Sequence, residues 1–468
     1  MVGASGQVQH PTPPPMSSFL DRERTVAPAG FSRWLVPPAA IAVQMCIGEI
    51  YGFSVFNIPL TRAIGITKSV PGQDWTVPHV VLATYSLGIV ILGLSAAFLG
   101  KWVERSGPRK TMFASACLFC SGLVVASLGV HLHSLLVVAL GYGVIGGIGL
   151  GLGYIAPVST LVKWFPDRPG MATGFAIMGF GSGALVGAPF GVELMNIFKT
   201  PTSVGVAETF LVMAACYFVM MNFAAWIVRV PAPDWKPEGF TGPAKAGRLI
   251  TTHQVSADNA LKTPQFYLLW GVLCCNVTAG IGILAQASPM AQDMFGVTPL
   301  VAGGFVGLLS IFNMVGRFVW SSTSDLTGRK AIYCVYFILG CALYGLIPVS
   351  QRLGSVTLFV ALTCLIISMY GGGFATIPAY LRDLFGTFQV GAIHGRVITA
   401  WSAAAVLGPQ LVTYLSAYQR DHGVPRAEAY NTTVLIMAGI LVLGLVLNLF
   451  VRPVKAEYQV PETPAPSP

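Results

Sequence analysis

The sequence predicts an all-α membrane protein whose twelve transmembrane helices form two pseudo-symmetric six-helix bundles. Three observations carry that prediction: a low charge content, twelve apolar stretches of spanning length, and an internal repeat at one constant offset. Of 468 residues, 54% are hydrophobic and only 10% are charged, against about 25% charged in soluble domains. A mean hydropathy of +0.70 excludes an ordinary soluble enzyme, a disordered chain and a disulfide scaffold, and the 53 glycines follow no G-X-Y period. Lipid is therefore the solvent in which the remaining residues have to be read.

About 20 apolar residues are needed to cross roughly 30 Å of hydrocarbon. Twelve stretches meet this, near 35–60, 78–100, 110–130, 135–162, 169–194, 206–229, 264–287, 299–322, 331–350, 356–379, 390–417 and 430–451. Backbone polar groups in lipid must be satisfied within the segment, so these are helices; a barrel would show short alternating strands. Around them lie a tail over 1–32 with the proline cluster of His10–Pro15, expected to be disordered, and a second such tail over 453–468. Residues 33–229 make the first bundle, a polar connection over 230–263 follows, and 264–452 make the second. No basic stretch leads into a short apolar core at the start, so the first span is expected to begin insertion.

The net charge of +9 suits nucleic acid only until the charges are placed. Nineteen of the 27 Lys and Arg residues fall on the side of the two termini, six on the other (Arg62, Lys68, Lys199, Arg352, Arg420, Arg426), and Arg317 and Arg396 within spans. That bias puts both termini in the cytoplasm and leaves no role for a polyanion. The nine cysteines, including Cys117, Cys120 and the Cys274-Cys275 pair, lie mostly in apolar runs, where thiolate or metal chemistry is disfavoured. No metal or cofactor is expected.

The repeat pairs Glu104 and Gly107 with Asp325 and Gly328, each 221 residues later, and likewise Gly151 with Gly372, Pro157 with Pro378, Gly170 with Gly391, Gly174 with Gly395 and Gly187 with Gly408. Two parallel halves imply a pseudo-two-fold along the membrane normal and a site between them near midplane, the geometry of rocking alternating access. The repeat begins at Gly100-Lys-Trp-Val-Glu104-Arg105-Ser-Gly107-Pro-Arg109-Lys110 and is echoed by Ser324-Asp325-Leu-Thr-Gly328-Arg329-Lys330. This resembles the cytoplasmic signature of the major facilitator superfamily, with Glu104 where most members have Asp. Glycine allows a tight turn, and Glu104, Arg105, Arg109, Asp325 and Arg329 are expected to pair across helix ends and hold one face shut. Span five carries glycines at 179, 181, 183, 187 and 191 with Pro189, a pattern similar to one in exchangers of that superfamily, although close packing alone explains it.

An ionisable residue within a span costs several kcal/mol unless it lines a cavity or finds a partner. Arg317 stands about two turns, roughly 12 Å, before Asp325. Its planar fork matches a carboxylate, and Asn313 lies one turn deeper on the same face. Snorkelling, or a bridge to Asp325, is the alternative. Glu49 near the middle of span one, beside Tyr51, is a candidate for loading and releasing a proton, or else is hydrogen-bonded or paired across the bundle. His394 is a second coupling candidate, near enough to the cytoplasmic end to be wetted, whereas Arg396 suits a snorkelling interface charge. Tyr51, Tyr154, Phe180, Tyr370, Phe374 and Trp401 would make an apolar cage with one cationic end if they share a cavity with Arg317, fit for a small organic anion rather than a sugar.

Narrower likenesses lie in Leu261-Lys-Thr-Pro-Gln-Phe-Tyr-Leu-Leu-Trp270, in Phe312-Asn-Met-Val-Gly-Arg317-Phe-Val-Trp320, in Tyr370-Gly-Gly-Gly-Phe-Ala-Thr-Ile-Pro378 followed by Asp383-Leu-Phe-Gly386 and Gly391-Ala-Ile-His-Gly395, and in Tyr51-Gly-Phe-Ser-Val-Phe-Asn-Ile-Pro-Leu60. Together these resemble the bacterial oxalate/formate exchanger family, related to the monocarboxylate transporters. The resemblance implies small-carboxylate transport, with Arg317 in the place of the substrate-binding arginine and Tyr51 and Tyr154 matching cavity tyrosines. Where oxalate exchangers have a lysine in span eleven, this chain has Trp401, and one cation suits a monoanion better than a dianion. The expectation is a transporter of lactate, pyruvate or formate in the bacterial inner membrane, by proton symport and as a monomeric unit. Oxalate–formate exchange or a non-transporting sensor are the alternatives. An enzyme is not expected, since no nucleophile–base pair or metal cluster stands near midplane.

Overall fold

The structure is a computed structural model, and it describes residues 18–61, 75–233, 235–240, 249–425 and 428–460. Arg62, Lys68, Lys245, Arg248, Arg426, the His10–Pro15 cluster and residues 461–468 lie outside the described residues. Among the described residues twelve helices are long and apolar enough to span a membrane. In the first half they are α1 Arg33–Gly52, α2 His79–Ser106, α3 Pro108–His131, α4 Leu135–Trp164, α5 Pro169–Phe198 and α6 Val206–Ile227. The second half has α7 Pro264–Phe295, α8 Pro299–Thr327, α9 Arg329–Arg352, α10 Val356–Phe385, α11 Val390–Asp421 and α12 Asn431–Phe450. Each overlies one of the twelve apolar stretches.

Local chemistry sets the ends. Pro108, Pro169, Pro264 and Pro299 occupy first helical positions, where the missing N–H has no partner to lose. Thr263, Thr298 and Ser355 accept from the backbone N–H three residues on, as N-caps do. The two signature glycines have one task in common. Gly107 at φ +79 and Gly328 at φ +88 are the sole residues between α2 and α3 and between α8 and α9, a left-handed corner that a side chain would strain. The first span departs from a single continuous helix. It runs α-helical over Val36–Ile47, tightens to a 3-10 turn over Gly48–Gly52 and resumes over Ser54–Thr61.

Packing repeats with the sequence. Helix α1 lies on α5, α2 on α4 and α3 on α6; α7 lies on α11, α8 on α10 and α9 on α12. The halves meet along two seams, α2 against α11 and α5 against α8. These seams exchange places under the two-fold. Gly174 and Gly395, one repeat apart, sit at close approaches: a Cβ on Gly174 would lie 2.3 Å from the Ser321 hydroxyl, and one on Gly395 would lie 2.2 Å from the Ala96 carbonyl. Exposed Phe98, Val219, Phe223, Leu435 and Leu443 are ordinary for helices whose outer faces meet lipid.

The described parts of both tails are ordered, contrary to the sequence expectation. Residues 18–35 run through two 3-10 turns, Val26 bridges Val230, and Arg33 forks onto Asp167 at 2.7 and 3.0 Å. In the second half, Val255 bridges Gln459 and the Val460 N–H donates to the Gln254 carbonyl at 2.8 Å. Low hydrophobicity suggests disorder only when a segment has nothing to pair with. Here the bundle ends supply backbone partners.

Candidate functional site

Two regions on the central axis gather the polar residues: a latch end, where the signature loops lie, and an aromatic cage at mid-helix. At the latch end the two signature acids cross the seams. The Asp325 carboxylate on α8 accepts from the Gly170 and Met171 N–H groups at the start of α5, both at 2.8 Å. Glu104 on α2 accepts from the Gly391 N–H at the start of α11, also at 2.8 Å. A helix N-terminus presents unpaired N–H groups and the positive end of its dipole, so each acid binds the opposite half. Gly170 and Gly391 were legible as a repeated pair but not as acceptors' partners, because a backbone N–H carries no residue identity.

Counter-charges hold the acids. Lys163 donates to Glu104 at 2.6 Å. Arg329 reaches Asp325 at 2.6 Å and Asp383 at 3.1 Å and also contacts the Ser324 hydroxyl. Of the five gate residues expected, Glu104 and Asp325 reach across the seams and Arg329 pairs with Asp325. Arg109 is buried but donates to the Phe19 and Trp226 carbonyls, tying the N-terminal segment within the first half. Arg105 is exposed and bridges no seam. A third contact was not foreseen. Asp258, in the connection between the halves, accepts from Lys101 of α2 at 2.5 Å and from Arg396 of α11 at 3.0 Å. Those bonds, from Lys101 first and then Arg396, hold the Asp258 carboxyl below the usual carboxylate range. Arg396 thus makes an ion pair and donates to the Ala257 carbonyl.

Deeper in, Arg317 is 1% exposed. Its Nε donates to Asn313 Oδ1 at 3.1 Å and its Nη1 to the Ile177 carbonyl of α5 at 3.1 Å. Nη2 has no partner among the described residues. The guanidinium stands 5.8 Å from the Tyr51 ring, 5.9 Å from Phe180 and 5.4 Å from Phe374, within cation–π reach. Trp401 closes the group, 4.9 Å from Phe374, 5.4 Å from Phe180, 5.7 Å from Tyr154 and 5.9 Å from Tyr51. The Tyr51 and Tyr370 hydroxyls meet across the halves at 3.3 Å. All six expected aromatics, with Asn313 and Arg317, thus share one buried cage built from α1, α4, α5, α8, α10 and α11. The alternative of a bridge from Arg317 to Asp325 is excluded, since Asp325 is spent on Gly170, Met171 and Arg329.

The two coupling candidates part company. Glu49 is buried within the first half, where its carboxylate accepts from the Tyr142 hydroxyl at 3.0 Å. In a 3-10 turn of three residues, positions two apart point about 120° apart, so Tyr51 faces the seam while Glu49 faces inward. His394 is 1% exposed rather than wetted. The first turn of α11 is pressed onto α2 at Gly391 and Gly395, which seals it beside Tyr154 at 5.8 Å. In span five, Gly179 and Gly183 serve the close approach of α1, abutting the backbone of Ile41 and Gly48, while Gly181 faces Arg317 and Met314 of α8.

Twelve spanning helices among the described residues, in two halves with a buried cation between them, suit a membrane transporter. The chain belongs to the Major Facilitator Superfamily, whose model matches residues 29–409 and again 279–468. It is 25% identical over 423 residues to the oxalate:formate antiporter of Oxalobacter formigenes, covering 90% of this chain and 92% of that one. To the uncharacterized MFS-type transporter YhjX of Escherichia coli K12 it is 26% identical over 380 residues, covering 80% and 86%. Apicoplast pyruvate carrier 1 of Toxoplasma gondii is 24% identical over 376 residues, covering 70% and 67%. Among solved structures, the proton:xylose symporter XylE aligns with a TM-score of 0.65 at 15% identity, covering 88% of this chain and 94% of that one.

Proposed function

We propose that this transporter moves a small monocarboxylate of the lactate, pyruvate or formate type by alternating access, with Arg317 as the carboxylate anchor. One observation carries the reading: a fully buried guanidinium, ringed by aromatics, whose Nη2 is unpartnered and which is paired with no acid among the described residues. A lone buried cation attracts one negative charge and leaves a second uncompensated. The likeness to a named oxalate:formate antiporter and a named pyruvate carrier agrees with a carboxylate. The latch end is then the cytoplasmic face, with both termini on it, in a bacterial inner membrane, and each chain a transport unit. Its latches hold the cytoplasmic face shut while the substrate meets the cage from outside.

Proton symport is the coupling that Glu49 supports. A buried carboxyl on the same 3-10 turn as Tyr51 binds a proton where the cage residue is positioned. Carboxylate exchange is the second reading, favoured by the antiporter relative and disfavoured by Trp401 in place of a second cation.

Uptake of radiolabelled lactate into liposomes carrying the full chain tests the anchor. Arg317→Ala is expected to lower uptake more than about a hundredfold, the cost of a lost charge-assisted pair of about 3 kcal/mol, with an unchanged size-exclusion profile. Undiminished uptake by a folded Arg317→Ala protein would remove the anchor. For coupling, Glu49→Gln is expected to keep lactate counterflow and lose its response to an imposed proton gradient; a retained response clears Glu49.

A further inference from the structure

The geometry points to a substrate with a second oxygen beside its carboxylate, a 2-oxo or 2-hydroxy monocarboxylate whose extra oxygen is read by Tyr154 and Trp401. This rests on Arg317 as the carboxylate anchor. Three buried donors in the cage have no partner among the described residues: Arg317 Nη2, the Tyr154 hydroxyl and the Trp401 indole N–H. All three side chains are 1% exposed or less. Tyr154 and Trp401 come from α4 and α11, one on each side of the seam, with rings 5.7 Å apart. Both pack on Phe180, at 5.5 and 5.4 Å, the ring over which the guanidinium stands at 5.9 Å. One molecule of two or three carbons can therefore meet the cation and the two neutral donors together.

Their chemistry selects the second group. An indole N–H only donates, and a phenol donates or accepts, so a carbonyl or hydroxyl oxygen satisfies the pair. A second carboxylate would bring a second negative charge to neutral donors and one cation. Formate, acetate and propionate offer no hydrogen-bond acceptor beyond the carboxylate, so the two donors would stay buried and unpaired. A site built to hydrogen-bond a substrate oxygen discriminates strongly against the analogue that lacks it. Glu49, the buried acid nearest in sequence, is committed to Tyr142 and supplies no acceptor here.

The test compares initial uptake of radiolabelled pyruvate, lactate, propionate and acetate by the full chain in liposomes. Propionate matches lactate in size and lacks only the 2-hydroxyl. The native protein is expected to favour pyruvate and lactate over propionate by about tenfold or more in kcat/KM, on the order of one hydrogen bond. Tyr154→Phe, which keeps the ring and loses the hydroxyl, and Trp401→Phe, which keeps an aromatic side chain and loses the indole N–H, are each expected to draw that ratio several-fold toward one. Equal transport of propionate and lactate by the native protein overturns the inference while leaving the carboxylate anchor in place. So does a loss in the variants that is the same for all four acids, the mark of a packing role. Uptake of none of the four overturns both.

Discussion

The latch end and the cage sit on one pseudo-two-fold axis and treat it in opposite ways. At the latch end the repeat is kept. Glu104 meets Gly391 and Asp325 meets Gly170, and the second contact is the first with its acid moved on by 221 residues and its glycine moved back by 221. In the cage the repeat is broken at the positions that matter. Arg317 stands 221 residues after Ala96, Trp401 after Phe180, and His394 after Thr173. Thr173 spends its hydroxyl on the Ala375 carbonyl at 2.6 Å, whereas His394 packs beside Tyr154, the residue that corresponds to Ala375. Rocking needs two hinged sides that open together, so symmetry is useful where the halves part. Under the proposed function, a small asymmetric anion needs charge on one side only, which would account for the loss of symmetry in the cage.

The largest effect should come from the broken position. Beyond the loss expected for Arg317→Ala, Arg317→Lys keeps the charge but not the fork. It is expected to lower lactate kcat/KM about tenfold, checked by initial-rate uptake; native-like kcat/KM in the lysine variant shows that charge alone suffices. Next come the latches, where the comparison predicts unequal effects at equivalent sites. Asp325 accepts two N–H groups and balances Arg329, while Glu104 accepts one and balances Lys163. Asp325→Asn is expected to raise labelling of an introduced cytoplasmic-side cysteine about tenfold, and Glu104→Gln a few-fold, each lost charged hydrogen bond costing about 1.5–3 kcal/mol less screening. Equal responses would mean that the two sides part independently of their bond counts.

The smallest effect belongs to a contact outside the repeat, the Lys101–Asp258–Arg396 clasp. Asp258 is 59% exposed, so after screening the clasp contributes less than about 1 kcal/mol. Its carboxyl is held below the usual range, so the contribution is complete above that range and fades only as pH falls through the lowered value. Cysteine labelling in Asp258→Asn should thus match the native protein within a few-fold and the native value should be flat from pH 7 to 5. A steep change over that interval assigns the gate to another group.

How much of this was legible follows the kind of signal. Runs of about twenty apolar residues report spans directly, and the 221-residue offset reports the halves. Arg317 was visible because a charge in lipid is costly, and the aromatics followed once helices were assigned. What escaped depended on backbone and on neighbours. Glu49 and Tyr51 are near neighbours in sequence, yet positions two apart face different sides in the 3-10 turn at Gly48–Gly52 as they would in an α-helix, so adjacency hid that Glu49 meets Tyr142. Burial of His394 depends on Ala96 of a helix three hundred residues away in sequence, on the order of the whole chain. Arg109 and Arg105 shared the signature's composition, yet only contacts to Phe19 and Trp226 reveal which half Arg109 serves.

The central claim is that a cage with one cation takes a monoanion. Its most direct test is uptake of radiolabelled lactate and oxalate into liposomes reconstituted with the native chain, empty or preloaded with carboxylate, with and without an inward proton gradient. The account predicts saturable lactate uptake into empty vesicles, driven by the gradient, with oxalate neither carried nor competing. Oxalate uptake confined to preloaded vesicles and indifferent to the gradient would contradict it, and would make this chain a dianion exchanger in which Trp401 does the work assigned to a second cation.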